Sequence, residues 1–210
     1  MRCSKCGYEL KDDMNFCPKC GTKVVSAIPS EIFTDTRDGN VYRTVKIGKQ
    51  VWMAENLNYA GNGGVYYKDA ADPPFEKAGR LYTWQQAMEA VPPGWHLPSN
   101  DEWVALMDFV GGFAKAGKYL KATHGWDNHN GNFGSGIDKY GFAALPGGSG
   151  YGDIGGFGYW WSATEVDVNR AYYYRICYNQ DGAYLEGNPL GWVGPYENKT
   201  HLYNVRCVQD

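Results

Sequence analysis

The sequence predicts an α+β fold preceded by a small metal-held module. Three observations predict it. Two Cys-x2-Cys pairs fall in the first two dozen residues, two capped amphipathic stretches lie mid-chain, and strand-like runs flank those stretches across glycine-rich segments. With 210 residues, 43% hydrophobic and 20% charged, the chain is long enough for one substantial domain and one small one. Its 28 glycines and 16% aromatics suit a loop-rich fold with short strands. A net charge of -3 supplies no basic field for nucleic acid or an anionic membrane, so neither is an expected partner.

The N-terminal module spans 1–24. Cys3, Cys6, Cys17 and Cys20 stand as two knuckles, "CSKCG" and "CPKCG". Each pair turns tightly enough to aim two thiolates at one point, and the glycines that follow (Gly7, Gly21) relieve crowding beside the sulfurs. Four thiolates make a closed tetrahedral site suited to structural Zn2+, with no open position for catalysis. Paired disulfides or a redox Cys-x-x-Cys are disfavoured by the lack of an export signal and of a thioredoxin-like βαβ pattern. About two dozen residues cannot bury a useful core, so the metal must supply folding free energy on the order of 10 kcal/mol. The segment resembles a zinc ribbon. Arg2, Lys5, Lys11, Lys19 and Lys23 set against Glu9, Asp12 and Asp13 leave little positive excess, which favours protein docking or a structural role over nucleic-acid binding.

"AIPSEI", within a linker placed at 25–32, separates the module from a second domain at 33–210. That domain opens with alternating residues on both sides of Gly48-Lys49, which predicts a hairpin closed by a type II′ turn. In "YTWQQAMEAV" Thr83 caps a helix whose core stripe is Trp84, Ala87, Met88 and Val91, stopped by Pro92-Pro93. In "LPSNDEWVALMDFVGG" Ser99 and Glu102 form a capping box, Trp103, Leu106, Met107 and Val110 form the stripe, and Gly111 ends it. Glycines interrupt every pattern from 111 to 158, which reads as long loops. Strands return in "YWWSATE", "AYYYRICYN", "GAYLEG" and "LYNVRCVQ".

The segments "DGNVYRTVKIGKQVWMAENLNY", "GRLYTWQQAM", "PPGWHLPSNDEWVAL", "GFAALPGG", "YWWSATE" and "YNVRCV" together resemble the Fibrobacter succinogenes major paralogous domain. The resemblance implies a C-type-lectin-like fold, in which two helices pack on a hairpin-rich antiparallel sheet, long loops intervene and the chain ends lie side by side. It further implies that the chain could be a variable protein, the target of a diversity-generating retroelement that rewrites Asn codons on a ligand-facing surface. The longer loop "LEGNPLGWVGPYENKTH" and the N-terminal thiol module depart from the usual pattern of that family.

Tyr with Asn, Ser and Gly is the mixture used by adaptable binding surfaces. On an alternating strand Tyr172, Tyr174 and Tyr178 share one face, and the following turn and loop can bring Asn179, Asp181, Tyr184, Glu186, Asn188, Trp192 and Tyr196 beside them. These ten are the candidate ligand-binding residues, for an unidentified protein or other ligand. The competing reading is a strand of half-buried tyrosines.

Enzymatic signatures are weak. "GYGDIG" matches G-x-G-x-x-G but is followed by no helix. His124 and His129 with Asp127 read as a solvated loop. Trp126-Asp127-Asn128 and Glu186-Gly187-Asn188-Pro189 imitate calcium-lectin motifs without their spacing, and calcium needs six to eight converging oxygens. The catalytic alternative is an oxidase of the formylglycine-generating type using Cys177 and Cys207. Both sit in apolar strands without a neighbouring His or Lys, so buried inert thiols are expected, with a disulfide between them the next alternative, disfavoured in reducing surroundings. A self-associating scaffold is a further alternative. With no apolar stretch long enough to span a bilayer and no secretory h-region, the expectation is a cytoplasmic binding protein that is not an enzyme.

Overall fold

The computed structural model describes residues 5–9, 16–22, 30–66, 78–129, 132–184 and 196–210. Strand β1 (Ser30–Thr34) pairs antiparallel with β2 (Val41–Ile47), which turns through Gly48-Lys49 into β3 (Gln50–Met53). Gly48 has φ +64 and Lys49 is not left-handed, the sign pattern of the expected type II′ turn. Because β1 starts at Ser30, regular structure begins inside the segment read as linker. Helix α1 (Trp84–Ala90) is followed by β4 (Trp95–His96), helix α2 (Asn100–Phe109) and helix α3 (Phe113–Leu120). After the short pair β5 (Asn128–His129) and β6 (Asn132–Phe133) come β7 (Phe157–Glu165), β8 (Arg170–Cys177), β9 (Ala183–Tyr184), β10 (Tyr196–Asn198) and β11 (Val208–Gln209).

Apart from the β5-β6 pair, the strands of the described residues form two antiparallel sheets, one ordered β1-β2-β3-β11-β4 and one ordered β10-β8-β7 with β9 on β8. The last strand closes the first sheet: Val208 sits opposite both Trp52 of β3 and His96 of β4, which lays the C-terminal strand beside the opening hairpin.

Both expected helices form, each with a reciprocal capping box, Thr83 with Gln86 and Ser99 with Glu102. The α2 stripe is buried as expected. In α1 the buried positions are Trp84, Ala87 and Ala90, while Met88 is 38% exposed, so the seven-residue helix presents a narrower face than the sequence suggested. Helix α3 corrects the reading of 111–158 as loops. Its N-cap is Gly112 with no side-chain cap bond, and Gly117 lies inside it, so the usual sequence marks of a helix are missing.

The core has two clusters, and the second sheet lies between them. One cluster holds Trp52, Trp103, Phe142, Trp160, Tyr174 and Ile176, and the other Trp84, Trp161, Ala171, Tyr173, Tyr203 and Cys207. Neighbouring residues on a strand point to opposite faces, so Trp160 and Trp161 feed different clusters, as do Tyr174 and Tyr173. A strand covered on both faces needs a continuous apolar run rather than alternation, which accounts for "YWW" opposite "YYY" in register (Trp160 against Tyr174, Trp161 against Tyr173).

Candidate functional site

At the N-terminus, the Sγ atoms of Cys6, Cys17 and Cys20 lie within 4.8 Å of one another, with Cys6 and Cys17 at 3.5 Å. Four sulfurs at tetrahedral bonds of about 2.3 Å to one ion would be roughly 3.8 Å apart, so the three fit a metal site. Gly7 (φ +69) and Gly21 (φ +68) take the left-handed conformation that each knuckle needs, and the Gly21 amide donates to Cys17 O at 2.9 Å. The fourth expected ligand, Cys3, lies outside the described residues.

The ten candidate binding residues do not form one face. Tyr174 is 1% exposed, its ring stacked on Trp103 at 4.8 Å and its hydroxyl donating to Asn100 O at 3.3 Å. Burial pushes its phenol well above the usual tyrosine range. This corrects the expectation of an outward-facing Tyr174: helix α2 covers that face of β8. Tyr172 and Tyr196 sit at one end of β8, opposite each other in register with ring centroids 6.3 Å apart. Tyr196 is 50% exposed and the Arg170 guanidinium lies 4.5 Å over its ring. Tyr178, Asn179 and Asp181 sit at the other end, six residues along, about 20 Å away at strand rise. Tyr184 pairs through its backbone with Arg175. Glu186, Asn188 and Trp192 lie outside the described residues.

At the Tyr178 end, a cavity of about 380 Å³ is lined by Asp127, Asn128, Asp153, Ile154, Gly156, Phe157 and Tyr178. Phe157 and Tyr178 meet edge to face at 6.3 Å, and the Asp153 carboxylate accepts a hydrogen bond from the Tyr159 hydroxyl at 3.4 Å. Close approach is built in: a Cβ at Gly155 would come within 2.6 Å of the Asp127 carboxylate. Among the described residues neither Asp127 nor Asp153 has a basic partner. The wall therefore offers acceptors and aromatic edges. Asp127-Asn128 were read from the sequence as part of a solvated loop. Asp153 lies in the "GYGDIG" stretch set aside as a dinucleotide loop and Phe157 carries no sequence signal, because only folding brings them to Tyr178. Trp126, by contrast, is core, its Nε1 donating to Ala144 O at 2.9 Å.

A larger cavity, of about 510 Å³, lies beside β2 with Arg43, Glu55, Asn58 and His124 on its rim. Arg206 borders it but is fully buried, donating to Asn56 Oδ1 and to the carbonyls of Met53 and Phe142. Burial lowers its pKa to about 10. Its guanidinium thus ties the C-terminal segment to the opening hairpin.

The profile of the Fibrobacter succinogenes major domain matches residues 45–209. The chain belongs to that family. A zinc-ribbon domain profile matches residues 2–24, so the cysteine knuckles are a zinc ribbon set in front of the Fibrobacter succinogenes major domain. No curated protein matches the chain, and no solved structure does. Among the described residues, no helix is long and apolar enough to cross a membrane.

Proposed function

We propose that the chain is a non-catalytic, two-module binding protein of the cytoplasm: a Zn2+-held ribbon that docks or supports, and a C-type-lectin-like domain that takes its ligand at the Tyr178 end of β8. The observation that carries this reading is the cavity there, with aromatic edges on one side and, on the other, the carboxylates of Asp127 and Asp153, which have no ion-pair partner among the described residues. Such a wall suits a ligand rich in hydrogen-bond donors, whether a basic protein segment or another donor-bearing molecule. The closure of the first sheet by β11, which pairs with β3 of the opening hairpin and with β4, supports the lectin-like assignment, although β2 and β3 stand between the first strand and the last.

Cys207 speaks against the oxidase alternative. It is fully buried and burial pushes its thiol far above the usual range, so it holds its proton at neutral pH. Cys177 is 6% exposed and donates to Asn179 Oδ1 at 2.7 Å rather than to a base.

Retroelement diversification of the 3′ end of the gene belongs to the same proposal. Deep sequencing of that end in the source population tests it. Substitutions should reach the codons of Tyr172 and of Asn179 to Asp181 and spare Tyr173 and Tyr174, whereas a constant segment with no nearby near-copy sinks the diversification. Ligand capture is tested by pull-down with the full chain and with its Tyr178→Ala and Asp127→Asn variants. A partner held equally by all three moves the site away from this cavity.

A further inference from the structure

Lys121 follows directly after α3 and is 2% exposed. An ammonium taken out of water needs all its donors satisfied, and a nearby carboxylate is the usual answer. Here the answer is different. Its Nζ donates to three carbonyls of one turn, Cys177 O at 3.3 Å, Tyr178 O at 3.3 Å and Gln180 O at 3.0 Å. Three N–H groups meet three backbone oxygens. Burial lowers the lysine's pKa, partly offset by the charge of Asp181.

Helix α3 grips the same turn in two further ways. The Lys118 amide donates to Asp181 O at 2.7 Å, and Gly117 leaves room for the chain at Gly182, whose O would lie 2.5 Å from a Cβ at 117. All five of these contacts fall on main-chain atoms of 177–182. The side chains of Asn179 and Asp181 add little. Asn179 and Asp181 are exposed, Asn179 Oδ1 accepts from Cys177 Sγ, and the Asp181 carboxylate stands 3.7 Å from the exposed Lys118 ammonium, a pair of small value.

We infer that Asn179, Gln180 and Asp181 form a specificity-determining turn, and that Lys121 is the positioning residue that fixes its path through the backbone, whatever side chains the turn carries. This rests on reading the Tyr178 end as the binding end. It goes further in separating what holds the turn from what meets the ligand: side chains at 179–181 can change what is bound without changing the fold that presents them.

Three measurements on the full chain test the inference. The first replaces Asn179, Gln180 and Asp181 together by serine, which should move Tm by no more than about 2 °C. A loss of more than about 5 °C would show that the side chains hold the turn and would overturn the inference. The second compares Lys121→Met and Lys121→Arg by 15N relaxation. In the Met variant the order parameters of 178–182 should fall from about 0.85 to below about 0.6 while those of β7 and α2 stay, and Arg, which can still donate to the carbonyls, should restore part of the loss. Unchanged order parameters in the Met variant refute the positioning role. If that variant does not fold, the serine variant still decides the matter.

The third measurement displays a library randomised at 179–181 and selects it on lysozyme, used as an arbitrary target. Binders are expected, and their affinity should drop at least tenfold when Lys121→Met is introduced. Recovery of no binder, or binders insensitive to residue 121, overturns the specificity role. Because lysozyme replaces the natural ligand, this outcome is separate from the pull-down, which can fail on its own if the natural ligand binds elsewhere.

Discussion

The ring of Tyr174 lies on the ring of Trp103, centroids 4.8 Å apart and planes 20° from parallel. A strand residue and a helix residue, 71 positions apart in sequence, thereby bring helix α2 over one of the two covered faces of β8. Tyr174→Ala should destabilise the domain by about 3–5 kcal/mol, as for other large aromatic truncations in cores. Tyr174→Phe, which loses one hydrogen bond, should cost about 1 kcal/mol. Tyr172→Ala, two residues away on a half-covered position, should cost less than Tyr174→Ala. Urea denaturation of the three variants orders them, and equal losses for Tyr172 and Tyr174 would contradict the packing described.

The ribbon and the larger domain should respond differently to metal removal. One Zn2+ per chain is expected, released by a strong chelator with loss of ordered signals from residues 1–24 only. The melting transition of the larger domain should persist. Cys17→Ser should abolish stoichiometric zinc in elemental analysis, and a domain transition that collapses with the metal would mean that the ribbon supports the domain directly.

Gly117→Ala sets two effects against each other. Alanine improves helix propensity by about 1 kcal/mol, but its Cβ would meet the Gly182 carbonyl at 2.5 Å. Backbone cannot yield as a flexible side chain can, so overpacking of about 1–3 kcal/mol should win. A lower Tm is expected, and a higher one would show that α3 stands off the turn.

His96 is held on both sides. Its Nε2 lies 2.7 Å from Glu102 and its Nδ1 2.8 Å from Asp210, which joins β4 to the capping box of α2 and to the end of the chain. Burial works against the imidazolium, yet the two carboxylates outweigh it and the pKa is raised above 6.5. A raised folded-state pKa means stability fully present below the unfolded value and lost as pH rises through the folded one. Stability should therefore decline above pH 6.5, and His96→Gln should flatten that decline. Glu102 shifts the other way: burial raises its pKa, but bonds from Ser99 and His96 leave it lowered, so its contribution is lost as pH falls below 4.5. Chemical denaturation between pH 4 and 9 in both proteins checks the two limbs.

Cys207 should be inert to a thiol reagent in the native protein and react only on unfolding, since only the thiolate attacks and burial holds the thiol protonated. Native reactivity at a rate comparable to an exposed thiol would reopen the oxidase reading.

Local chemistry made part of this protein legible from sequence. Two Cys-x2-Cys knuckles specify a metal-held module because ligand spacing is a short-range property. Ser99 with Glu102 marks the start of α2, and Gly48-Lys49 closes the hairpin, because caps and turns are decided within four residues. Only the tertiary structure decided what the tyrosine-rich strand does. In an alternating pattern Tyr172, Tyr174 and Tyr178 share a face, but the second sheet lies between two core clusters, so burial along β8 depends on what covers each position and not on period alone. Helix α3 escaped notice for the same reason: its glycines read as breakers until Gly117 is seen to admit the backbone at Gly182. Lys121 could not be read at all, since a lysine after a helix is ordinarily a solvated charge. It becomes a clamp because the chain returns 56 residues later to place three carbonyls around its nitrogen, and no local pattern encodes that return.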